Sequence, residues 1–102
     1  MFVLVAEDDG EARASVEDPG NLRQLHAEFR AVNDGAAARA LAATGLGRVD
    51  GDHAWLDAGA LRAAGDGSAA WAAGFDGMLA YAAGKGWASE DGTRVRAHIV
   101  RS

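Results

Sequence analysis

Ser68-Ala69-Ala70-Trp71-Ala72-Ala73-Gly74-Phe75-Asp76-Gly77-Met78-Leu79-Ala80-Tyr81-Ala82-Ala83-Gly84 is the longest uninterrupted periodic stretch of the chain. Trp71, Phe75, Met78, Leu79 and Ala82 recur at the spacing of one face of an α-helix. Ser68 is a suitable N-cap, and Gly84 or Gly86 can supply the left-handed stop. Burying the four large side chains at roughly 1.5–3 kcal/mol each gives an upper value of about 6–12 kcal/mol. Gly74 and Gly77 cost about 1 kcal/mol each against alanine. Burial outweighs them, so the stretch is expected to be the core helix.

Outward from that helix toward the N-terminus, Asp57 is placed to cap a two-turn helix containing Leu61 and stopped at Gly65. Asp50-Gly51 can turn a small hairpin between Arg48-Val49 and His53-Ala54-Trp55-Leu56. Ala36 to Thr44 is an alanine-rich helix, closed by Gly45 with Leu46 set for the hydrophobic contact of such a stop. Asp18-Pro19 opens a further expected helix, with Leu22, Leu25, Phe29 and Val32 as its buried stripe and Asn33-Asp34-Gly35 ending or kinking it. Phe2 to Ala6 is continuously apolar, as in a strand buried on both faces. The Asp9-Gly10 turn then leads into Glu11–Glu17, which alternates with Ala12, Ala14 and Val16 inward. Toward the C-terminus, Trp87 and the polar turn Ser89-Glu90-Asp91-Gly92 precede a strand from Thr93 to Val100. There Val95, Ala97 and Ile99 face one way and Arg94, Arg96 and His98 the other.

These elements predict a single α+β domain over residues 1–102. The N-terminal β-hairpin and the C-terminal strand would lie together in a small antiparallel sheet, covered on one face by three or four helices. The alternative is a winged-helix-like arrangement with Gly84 to Val100 as the wing.

At 102 residues one core is feasible without staples, although much of the apolar fraction is alanine. The chain contains no cysteine, which excludes disulfides, thiolate metal sites and a cysteine nucleophile. A formal net charge of −5 is a poor match to phosphate backbones, so no nucleic-acid partner is expected. No run is long enough to span a membrane and the first residues do not resemble a signal peptide, so the expected location is the cytoplasm.

Candidate chemistry is sparse. Asp50, Asp52, His53 and Asp57 form the densest group of possible metal ligands, but the spacing fits no calcium loop, and turn and cap duties account for Asp50 and Asp57. No metal and no cofactor is therefore expected. Asp76 sits inside the core helix on an alanine flank. It would be a proton-transfer candidate if buried, and a solvated acid otherwise. His26, His53 and His98 show no helical pairing in sequence. His98 shares a strand face with Arg94 and Arg96, a possible anion-recognising stripe; the plainer reading pairs that stripe across the sheet with Glu11, Arg13 and the neighbours of Glu17 in a mixed polar outer face. Trp55, Trp71, Trp87 and Tyr81 could line a pocket, or act as core anchors.

The residues thus favour a small acidic accessory or protein-interaction module without catalysis, self-associating as a homodimer because short strands leave sheet edges open. The rival is a small-molecule enzyme or binder using Asp76, or Asp52 with His53, or His98, beside a tryptophan-lined pocket.

Overall fold

A computed structural model describes residues 1–102. In chain order the elements are β1 (Phe2–Asp8), β2 (Glu11–Glu17), β3 (His26–Arg30), α1 (Asp34–Thr44), β4 (Gly47–Asp50), β5 (His53–Asp57), α2 (Ala58–Ala63), α3 (Ala69–Gly84) and β6 (Arg94–Arg101). The strands form one six-stranded sheet in the order β2-β1-β3-β6-β5-β4. The sheet is mixed: β3 runs parallel to both β1 and β6, while the remaining neighbours are antiparallel.

The local chemistry explains most of these elements. Asp9 and Gly10 both take positive φ, the requirement of a tight β-hairpin turn, and join β1 to β2. Asn33 caps α1 by accepting the Ala36 N–H, Asp57 caps α2 through Ala60, and Ser68 caps α3 through Trp71. Gly45 closes α1 at φ 69°, and Leu46 donates back to the Leu41 carbonyl and is buried. Gly47 is needed for a close approach, since a Cβ there would lie 2.2 Å from the Trp55 carbonyl oxygen.

Strand alternation sorts the sheet into two faces. Val3, Val5, Ala27, Phe29, Ala54, Leu56, Val95, Ala97 and Ile99 are buried on the inner face. Ala37, Ala40 and Leu41 of α1, Leu61 of α2, and Trp71, Phe75 and Ala82 of α3 complete the core. The sheet curls, so that α1 lies against both β2 and β4, its two edge strands. The outer face is covered by no helix: Phe2, Leu4, Ala6, His26, Glu28, His53 and Trp55 are only half-buried, and His98 and Val100 are exposed.

Several expectations need correction. The sheet is larger than the small antiparallel one expected, it is mixed, and β6 joins β3 and β5 rather than the N-terminal hairpin. No winged-helix arrangement forms. The helix expected from Asp18-Pro19 is absent, leaving three helices. Asp18 takes φ 51°, incompatible with an N-cap, and residues 18–25 form an irregular connection. Ala27 and Phe29 are buried while His26 and Glu28 are half-buried and Arg30 is exposed, a period of two that the expected period of Leu22, Leu25 and Phe29 had hidden. Phe2 and Leu4 face outward, so β1 is not buried on both sides. In α3, Met78 and Leu79 are half-buried, and the deeply buried positions are Trp71, Phe75 and Ala82. The hairpin after α1 turns on Gly51-Asp52, one residue later than expected.

Candidate functional site

Sheet register brings together residues that are remote in sequence. Phe2 stands opposite His26, His26 opposite His98, His98 opposite His53, and His53 opposite Asp50. All three histidines therefore share one row on the uncovered face. The Ile99 N–H donates to the Asp52 carbonyl, which makes His53 and His98 a non-hydrogen-bonded antiparallel pair, the kind with closer side chains. Their rings meet edge to face with centroids 5.8 Å apart. His26 instead stacks on Phe2 at 5.0 Å. No three His, Asp or Glu side chains converge where a metal ion could sit.

The next outward row along the strands holds Arg96, Trp55 and Arg48, and Arg94 follows opposite Asp57. None of Arg23, Arg48, Arg94 and Arg96 is in an ion pair. The expected pairing of this stripe with Glu11, Arg13 and the neighbours of Glu17 does not occur, because β1 and β3 lie between β2 and β6. Arg96 is half-buried, and its Nε is shielded from solvent without a hydrogen-bond partner. Such an orphaned donor costs roughly 1–3 kcal/mol.

Beside this arginine the surface is hollow. One depression of about 200 Å³ is lined by Leu25, His53, Trp87, Arg96 and His98. A second, of about 90 Å³, is lined by Met78, Leu79, Tyr81 and Ala82, and it shares Leu25, Trp87 and Arg96 with the first. Residues 87–89 position this wall: the Arg96 N–H donates to the Trp87 carbonyl at 2.6 Å, and Ser89 donates to the Arg94 carbonyl. That segment therefore borders β6 on the same side as β3. Tyr81 and Trp87 meet edge to face at 6.2 Å and stay exposed at the rim.

The candidate acids have structural employment elsewhere. Asp76 is exposed and accepts from Arg62 Nη2 at 2.6 Å. Asp50 accepts the Trp55 indole N–H at 3.0 Å, and Asp57 is the α2 cap. Asp52 accepts from Arg101, whose guanidinium also grips Asp34. The hydrogen bonds from Arg101 hold the Asp34 carboxyl below its ordinary value and raise the guanidinium in turn. Asp52, His53, Asp50 and Asp57 thus do not assemble into one site. His53 does join a tryptophan-lined hollow, with His98 and Arg96 rather than Asp52 or Asp76.

Of the aromatic candidates, Trp87 and Tyr81 line the cleft. Trp71 is a core anchor whose indole donates to the Pro19 carbonyl at 2.7 Å. The sequence places Leu25 in the buried stripe of the helix expected from Asp18-Pro19 and gives no signal for Arg23; that helix does not form, and both residues border the cleft instead. The residue signal available was Leu25 immediately preceding the alternation of β3. Comparison of the chain with protein-family models, with curated proteins and with solved structures returns no match.

Proposed function

We propose that this chain is a non-catalytic interaction module that self-associates as a homodimer through the uncovered outer face of its sheet. The observation that carries this reading is that face itself: it spans the strands, no helix covers it, and it presents Phe2, Leu4 and Val100 to solvent in part or in full. Its charge is unevenly spread. Asp8, Glu11, Glu17 and Glu28 outnumber Arg13 and Arg30 on the β2-β1-β3 half, and Arg48, Arg94 and Arg96, in no ion pair, outnumber Asp50 and Asp57 on the other. A two-fold axis lying in the plane of the face and parallel to the strands sets one copy's acidic half on the other's basic half in an isologous contact. The engagement of Asp76, Asp52 and Asp57 in ion pairs and a cap supports a role without catalysis.

The edge-strand argument for association does not survive, because α1 packs along both sheet edges. The face, not the edge, is the proposed contact. Sedimentation equilibrium across a micromolar series tests it. A dimer is expected, with Leu4→Lys shifting it to monomer while the far-ultraviolet circular dichroism is unchanged. A single 10.5 kDa species throughout the series would remove the reading.

A further inference from the structure

The geometry points to a binding site for a small carboxylic acid with a short apolar tail, in the cleft between β6, Trp87 and α3. This goes beyond self-association and, of the residues named for that contact, uses only Arg96. The polar half of the cleft offers the anion three donors of compatible character. Arg96 contributes a guanidinium whose shielded Nε has no partner, and His53 and His98 line the same hollow. A carboxylate matches the guanidinium fork of Arg96, which no carboxylate of the protein engages. Asp50 and Asp57, the acids nearest in register, do not compete for Arg96, since the Trp55 indole and the α2 N-terminus engage them.

The apolar half specifies the rest of the ligand. Met78, Leu79 and Tyr81 line a neighbouring hollow that shares Leu25, Trp87 and Arg96 with the first. An inorganic anion would leave that wall wet, whereas a chain of a few methylenes covers it. The hollows measure about 200 and 90 Å³, below the roughly 300–1,000 Å³ of drug-sized small-molecule sites, so only a small ligand such as a short-chain acid fits. Arg23 at the apolar end lies in no ion pair, and it adds to the positive potential at the mouth.

The test is a titration of the full chain with octanoate, followed through the Trp87 indole resonance and the backbone amides of residues 87–98. Octanol supplies the tail without the charge; acetate and inorganic phosphate supply charge without the tail. Saturable shifts with octanoate are expected, with each of the other three weaker by about tenfold or more, as loss of a charge-assisted contact or of buried methylenes implies. Arg96→Gln should weaken octanoate by about tenfold and leave octanol unchanged. Because β6 is central, Met78→Glu on a half-exposed helix position provides a second arm, placing a like charge beside the tail. It should weaken octanoate and leave acetate unaffected. Equal binding of octanol, equal binding of acetate or phosphate, or octanoate affinity unchanged in either folded variant would overturn the assignment. So would the absence of saturable shifts. A monomeric protein that binds octanoate would separate this site from the dimer reading.

Discussion

Phe75 shows what a single side chain contributes. It is fully buried, stacks on Trp71 with ring centroids 5.0 Å apart, and carries the Arg62 guanidinium over its ring at 4.9 Å from the centre. Phe75→Ala should destabilise the domain by about 3–5 kcal/mol, read as a drop in the urea midpoint at constant slope. A midpoint close to that of the wild type would show that this ring is not part of the core. Ala31 makes the opposite case, holding φ 56° without being a glycine. Relief of left-handed strain by Ala31→Gly should outweigh the entropy that glycine adds to the unfolded chain, giving a gain of up to about 1 kcal/mol. Thermal melting checks the sign. Single residues were also where the sequence was most readable. Ser68, Asp57 and Gly45 each act as the caps that their chemistry implies, because a cap depends on neighbours within a few positions. The alignment of His53 with His98 and His26 could not be read that way. It depends on which strands become neighbours, a choice made by the whole chain.

Among the elements, α3 was legible from its cap and its periodic apolar face, whereas β3 was not. Its five residues offer only Ala27 and Phe29 as an inward pair, and Asp18-Pro19 upstream imitates a helix start. The glycines of α3 also differ in what they do. Gly74 faces the Leu22 side chain, with a Cβ there falling 2.7 Å from its Cδ1, but nothing stands within 4 Å of the corresponding position at Gly77. Gly77→Ala should therefore add up to about 1 kcal/mol of stability through helix propensity alone, measurable by chemical denaturation. The turn before β6 responds to acid. Asp91 accepts hydrogen bonds from the Thr93 N–H, the Thr93 hydroxyl and the Ser89 hydroxyl, which bring its carboxyl down from 3.8 to about 2. The unfolded chain then takes up this proton first as pH falls. The contribution is fully present above about pH 4 and is lost on the way down to about pH 2. Melting temperature across that window should fall less steeply in Asp91→Ala than in the wild type; parallel curves would show that the turn contributes nothing to acid sensitivity.

At the scale of the whole molecule, the α+β class and the inward face of β6 were readable, because they follow from local periodicity. Strand order and direction were not, since no short-range pattern distinguishes a hairpin neighbour from a strand inserted later. The topology places β6 between β3 and β5, joining the β2-β1-β3 unit to the β4-β5 hairpin. The middle of the sheet is thus made last of all the strands during translation. Until residues 94–101 leave the ribosome, β3 and β5 each present an unsatisfied backbone edge, and Ala27, Phe29, Ala54 and Leu56 lack their central neighbours. Closure of this sheet consequently waits for a segment remote in sequence, the slow kind of closure. Stalled chains that end before β6 should remain protease-sensitive and recruit chaperones, and chains that extend past it should become resistant in one step. Limited proteolysis of arrested nascent chains of increasing length would reveal that step; gradual protection beginning at β3 would mean that the first half folds without its keystone.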